Sequence, residues 1–162
     1  MGFSALVLAL LASTGLAGVR YGAPPPSVPL PAASGVGTLA LEKGKPAVIH
    51  FWATWCHVCL TELPRFVKLE KKYGRSLDMI TVSNEREDVA ASYLRLWDFK
   101  LPLVADTDGS VFKAYGVGPL PVTIVVDAAG NVSYVQVGET DPADLDKALT
   151  SALGISDSSP LP

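Results

Sequence analysis

Two kinds of side chain in this sequence can carry chemistry beyond acid and base. They are two thiols, Cys56 and Cys59, and two imidazoles, His50 and His57. The thiols lie in Phe51-Trp-Ala-Thr-Trp-Cys-His-Val-Cys59. If a helix begins at Cys56, its unpaired N–H groups and its dipole stabilise an anion there, so the Cys56 thiolate is favoured. Three residues later the second sulfur faces the first and can attack a mixed disulfide formed on it. Half of a zinc site is the common alternative, but the chain has no second cysteine pair. A purely structural bridge is a weak reading, because closing three residues removes little unfolded-state entropy. The spacing predicts a redox dithiol. His57, between the sulfurs, can offer the Cys56 thiolate a hydrogen bond or partial positive charge, which lowers the thiol pKa and makes the disulfide more oxidising. A copper carrier is the competing class: thiolates and an imidazole from Cys56, Cys59 and His57 would suit Cu(I).

Such a pair needs a strand to deliver it and a helix to start at it. Ala47-Val-Ile-His-Phe-Trp-Ala53 is an apolar run suited to a strand covered on both faces. Alternation puts Val48, His50 and Trp52 on one face and Ile49 and Phe51 on the other. Residues 57–73 read as a helix with Leu60, Leu63, Val67 and Leu69 inward and Pro64 kinking it. Leu77–Ser83 reads as a strand, and Glu85–Trp97 as a helix with Val89, Tyr93, Leu96 and Trp97 on its buried stripe. A strand at Leu101–Ala105 and a short helix at Gly109–Tyr115 follow. Val122–Val126 and Val132–Val137 flank the turn cluster Asp127-Ala-Ala-Gly-Asn131 as an antiparallel hairpin. Asp141 caps a last helix with Pro142 at its first position, an apolar stripe of Leu145, Ala148, Leu149, Ala152 and Leu153, and Gly154 as its stop. The order implies an α/β fold, a central mixed β-sheet flanked by helices.

The whole chain has 162 residues, 49% hydrophobic and 18% charged, with a net charge of −3. It has room for one domain with residues to spare. The acidic balance excludes a basic nucleic-acid face, and the low charge excludes a highly charged disordered chain. Before Glu42 the only charged side chain is Arg20. Phe3–Val19 is an uncharged apolar stretch, so residues 1–20 are expected to be a signal peptide or an N-terminal membrane anchor. Either places the domain in the cell envelope, in the periplasm or its equivalent. Residues 21–37 hold Pro24, Pro25, Pro26, Pro29 and Pro31 and read as a semi-rigid spacer. A domain over 38–155 and a flexible tail over 156–162 complete the division.

Phe51-Trp-Ala-Thr-Trp-Cys56-x-x-Cys59, together with Tyr115-Gly-Val-Gly-Pro-Leu-Pro121-Val-Thr123, resembles the thioredoxin superfamily. Within it the sequence is most similar to the exported TlpA/ResA-like thiol-disulfide oxidoreductases, over about residues 38–153. The resemblance implies a thioredoxin fold with a helix-strand insertion at about 85–107. It implies Cys56 as nucleophile, Cys59 as resolving thiol and Pro121 as a cis-proline facing them, with Leu120's backbone free to pair with an extended substrate. The family's threonine after the cis-proline is Val122 here, a position that contributes mainly backbone. Trp55 would present an aromatic face beside the sulfur, while Trp52 reads as core. Trp55, His57, Val58 and Leu120 make up the expected substrate-binding surface. Glu85 would assist proton movement, unless it belongs to an ordinary acidic first turn capped by Asn84. His50, six residues before Cys56, falls where the family places a buried acid beneath the second cysteine. A neutral imidazole there can accept the Cys59 proton, and burial should lower its pKa. The implied activity is protein-disulfide exchange without a cofactor, by a monomer, on exported protein thiols and disulfides. Apocytochrome c or a copper-site protein are candidate substrates, with a membrane partner supplying or accepting electrons.

Overall fold

The structure is a computed structural model and describes residues 16–29, 41 and 44–155. Among these described residues nine elements follow in chain order: β1 (Ala47–Trp52), α1 (His57–Tyr73), β2 (Asp78–Ser83), α2 (Glu87–Leu96), β3 (Leu103–Ala105), α3 (Ser110–Tyr115), β4 (Val122–Val126), β5 (Val132–Val137) and α4 (Pro142–Leu153). The strands form one sheet in the order β3-β2-β1-β4-β5. β1, β2 and β3 run parallel, while β4 is antiparallel to β1 and β5 to β4. β1 is central, and all six of its residues are buried. That is the physical reason its sequence is apolar throughout.

The two faces of the sheet bury different sets. Val48, Trp52 and Val125 pack with Leu63, Phe66 and Leu69 of α1, Ala90 and Leu94 of α2, and Leu145 and Leu149 of α4. Ile49, Phe51, Val122 and Ile124 pack with Val111, Phe112 and Tyr115 of α3. The expected alternation along β1 therefore holds. α4 also follows its sequence signals: Asp141 Oδ1 accepts the N–H groups of Ala143 (2.8 Å) and Asp144 (3.1 Å), and Gly154 ends the helix at φ +64°.

Helix faces depart from expectation. α1 runs unbroken through Pro64 and buries Cys59, Glu62, Leu63, Phe66 and Leu69, with Leu60 and Val67 only partly covered. The inward stripe is turned toward Phe66 because the larger ring fills more of the space over β1. α2 begins at Glu87 with Arg86, not Asn84, at its cap, and it buries Ala90 and Leu94. Val89, Leu96 (78% exposed) and Trp97 (57%) face outward, which corrects the expected stripe at those three positions, while Tyr93 packs against the core beside Trp52 as expected. Small Ala90 lets the helix approach closely, and that contact sets its rotation.

The N-terminal part is in contact with the sheet and α3. Leu16, Val19 and Val28 are buried in the α3-side core. Gly22 N–H donates to Val132 O and Val132 N–H to Ala23 O, both at 2.9 Å. The Tyr21 hydroxyl accepts the Val135 N–H at 3.0 Å. Residues 16–29 thus pack against the domain. The apolar leader from 1 to 15, the spacer from 30 to 37 and the tail from 156 to 162 lie outside the described residues. Among the described residues no helix is long and apolar enough to cross a membrane.

Candidate active site

β1 ends at Trp52, the chain turns through Ala53, Thr54 and Trp55, and α1 starts at His57 with Cys56 as its N-cap. Cys56 and Cys59 are joined in a disulfide, S–S 2.05 Å and Cα–Cα 5.2 Å. The Cys59 N–H donates to Cys56 Sγ at 3.2 Å, so a free N–H of the first helical turn points at the sulfur the sequence marks as the nucleophile. Cys56 keeps 8% exposure and Cys59 none. Only the first cysteine has surface left for a partner to reach. The Leu120–Pro121 peptide bond is cis, in the loop that enters β4, with Pro121 buried and Leu120 half-buried.

Trp55 is 69% exposed, and Val58 and His57 stand on the same outward turn, whereas Trp52 is fully buried. Glu85 sits one strand away, in the turn after β2. Its Oε2 accepts the Thr54 N–H at 2.7 Å and the Ser83 hydroxyl at 3.2 Å, and its Oε1 accepts the Thr54 hydroxyl at 2.6 Å. Glu85 therefore precedes α2 instead of belonging to its acidic first turn. Its carboxylate ties the loop carrying Trp55 and Cys56 to the end of β2.

His50 lies on the α1 side of the sheet, fully buried, with its ring 4.1 Å from that of Phe66. Burial without a charged partner pushes its pKa down to about 3, so the ring is neutral around pH 7. Its Nδ1 is 3.1 Å from Thr123 Oγ1, while its buried Nε2 has no partner among the described residues.

Glu62 was missed by the sequence reading. It sits three residues after Cys59, on the same side of α1, and is buried. Its Oε1 accepts the Thr140 N–H at 2.5 Å, and its Oε2 has no partner among the described residues. Desolvation raises its pKa, only partly offset by the hydrogen bonds from Thr140. A signal was available: a charged residue at i+3 from a helical cysteine must fall on the inward stripe once Cys59 does.

The sheet order, the disulfide at the start of α1 and the loop leading into β4 define a thioredoxin-fold protein with a Cys-x-x-Cys couple. A solved thiol:disulfide interchange protein from Chlorobium tepidum is similar, with a TM-score of 0.68 and 28% identity, over 84% of this chain and 99% of that one. The chain matches the AhpC/TSA family over residues 22–135 and belongs to it. The thiol-disulfide oxidoreductase ResA of Bacillus thuringiensis subsp. konkukian is 33% identical over 109 residues, 66% of this chain and 63% of that protein. The thioredoxin-like protein YneN of Bacillus subtilis is 28% identical over 82% of this chain and 80% of its own length. The family match begins at residue 22, within the segment that packs on the domain.

Proposed function

We propose that this protein is a thiol-disulfide oxidoreductase that exchanges disulfides with cysteine pairs of exported proteins. The observation that carries the reading is the Cys56–Cys59 disulfide at the first turn of α1, with Cys56 keeping a little surface and Cys59 wholly buried. In the reducing direction the Cys56 thiolate attacks a substrate disulfide and expels one substrate thiolate. Cys59 gives up its proton and attacks Cys56 Sγ, which releases the second substrate sulfur. Two electrons pass to the substrate, the proton follows to its thiolate, and Cys56–Cys59 is left oxidised. A membrane partner then restores the dithiol.

Trp55, His57, Val58 and Leu120 make the substrate-binding surface: Trp55, His57 and Val58 are exposed neighbours of Cys56 in the chain, and the half-buried Leu120 precedes the cis Pro121. His50 serves as the proton relay for Cys59, and because its buried ring stays neutral it passes the proton on instead of holding it as an imidazolium. Glu85 positions the Cys56 loop through Thr54, because its oxygens are already engaged there. The apolar leader supports export to the envelope, and the domain works as a monomer.

Insulin reduction with dithiothreitol as the electron source tests the activity. The parent protein should accelerate it, Cys56→Ser should not, and Cys59→Ser should accumulate a mixed disulfide on Cys56. Acceleration by Cys56→Ser equal to the parent's would overturn the assignment.

A further inference from the structure

We propose that the end of the molecule farthest from Cys56 is a docking surface for an anionic lipid bilayer, which holds the domain with its redox couple turned to the aqueous side. α1 leads away from Cys56 through 17 residues to Tyr73. At the rise of a helix that is about 25 Å. β1 and β2 run parallel with Ala47 opposite Asp78, so both strands start at this far end. Lys45, just before β1, donates to Gly74 O at 3.5 Å, at the close of α1. The last turn of α2 returns to the same place, where Glu70 of α1 lines one groove with Arg95, Asp98 and Lys100.

Charge separates between the two ends. Among the described residues, Lys45, Lys71, Lys72, Arg75, Arg95 and Lys100 gather at the far end with Glu70, Asp78 and Asp98. That is six cations against three carboxylates, in a chain whose net charge is −3. The active-site end has the opposite balance: Glu85, Glu87 and Asp88 lead from β2 into α2, and Glu139 and Asp141 stand between β5 and α4. At the far end Lys45 pairs with Asp78 at 2.5 Å, and Lys100 with its exposed neighbour Asp98 at 2.6 Å. Lys71, Lys72, Arg75 and Arg95 are exposed, and no ion pair holds them among the described residues.

The same end presents apolar surface. Leu96 and Trp97, the last residue of α2 and its C-cap, are 78% and 57% exposed. The Trp97 ring is 6.3 Å from that of Tyr93, which is 5.9 Å from the buried Trp52, so the exposed indole stands on a fixed support. A tryptophan and a leucine flanked by lysines and arginines match the boundary layer of a bilayer, where the apolar groups enter the acyl edge and the cations meet the phosphates. Two adjacent side chains suit shallow insertion into that layer better than they suit a shaped protein pocket. The fixed charges also choose the orientation. Screening limits them to about 8–10 Å at ordinary salt. With the basic end docked, the acidic end lies beyond that reach, whereas in the reversed orientation it is repelled. The docking stands apart from the oxidoreductase reading, because none of these residues belongs to the disulfide site.

The test reconstitutes the full chain into vesicles of phosphatidylcholine, alone or mixed with phosphatidylglycerol, with acyl chains brominated near the headgroup, and reads the quenching of tryptophan fluorescence. The parent should be quenched in the mixed vesicles and not in phosphatidylcholine alone, and the quenching should vanish at about 0.5 M salt. Trp97→Phe should remove it and Trp55→Phe should leave it. Lys72→Gln should lower the ratio of docked to undocked protein about fivefold. Reversing Lys71, Lys72 and Arg75 together to Glu should abolish docking while insulin reduction stays at the parent's rate. A parent that is not quenched, or is quenched equally in both lipids, overturns the proposal. So does quenching that disappears with Trp55→Phe instead of Trp97→Phe. A parent that dimerises with Trp97 shielded from aqueous iodide before lipid is added assigns this end to a second copy, and overturns it as well. Failure of the parent to reduce insulin, with the quenching intact, would count against the oxidoreductase reading alone.

Discussion

Replacing Glu85 separates a positioning role from a proton-moving one. The carboxylate accepts three hydrogen bonds, two from Thr54 and one from Ser83. Hydrogen bonds to a charged group contribute ~1.5–3 kcal/mol each when buried, and less where water competes. Glu85 is half-buried, and the weakest of its three bonds is 3.2 Å long. Discounting for solvent, Glu85→Ala should cost ~2–3 kcal/mol, because the Thr54 N–H loses its acceptor. At the usual conversion for a domain of this size, the melting temperature falls by about 5–10 °C. Glu85→Gln keeps an oxygen for the Thr54 N–H, while the Thr54 hydroxyl can turn to accept from the amide. Its cost should be about 1 kcal/mol. The decisive comparison is insulin reduction below the melting range. Under the positioning role Glu85→Gln retains most of the parent rate, whereas Glu85→Ala slows because Cys56 is no longer held in place. A Glu85→Gln protein as slow as Glu85→Ala, with parent-like stability, would refute the reasoning and return Glu85 to proton movement.

Two further outcomes are expected. The pKa of His50 is lower folded than unfolded, so between about pH 6.5 and 3 the unfolded chain binds a proton that the native chain refuses. Stability should then fall by about 1.4 kcal/mol per pH unit as the medium is acidified through that window. The raised pKa of Glu62 acts in the opposite sense, binding a proton in the native state first. Urea unfolding of His50→Leu should show a flatter acid limb than the parent, and identical limbs would rule out His50 as the source. At the other end of the fold, a Cβ on Gly18 would lie 1.8 Å from Ala114 O, so Gly18→Ala should lift residues 16–29 from the sheet. Hydrogen exchange should then quicken at the paired amides of Gly22 and Val132 while those of β1 and β4 stay protected; unchanged exchange at Gly22 would show that the segment docks by other contacts.

The sequence by itself determined the elements whose signals are local. The apolar run of β1, the turn chemistry at 127–131 and the Asp141-Pro142 start and Gly154 stop of α4 each act through nearby backbone, and each appears where those residues place it. The Cys56–Cys59 spacing and its place between a strand and a helix were legible for the same reason. Which face a helix buries was not. α1 turned Phe66 and Glu62 inward, and α2 turned Ala90 inward and left Leu96 and Trp97 in water. Periodicity gives a stripe, but the rotation depends on the shape of the surface it meets. The docking of 16–29 was equally hidden, because its prolines read locally as a spacer while its Leu16, Val19 and Val28 find their partners on α3 and the sheet. The gathering of His50, Thr123, Thr140 and Glu62 needed the fold most. It joins residues up to 78 positions apart, and only the closing of β4 and the start of α4 against α1 turned two threonines and a buried carboxyl into neighbours of the histidine.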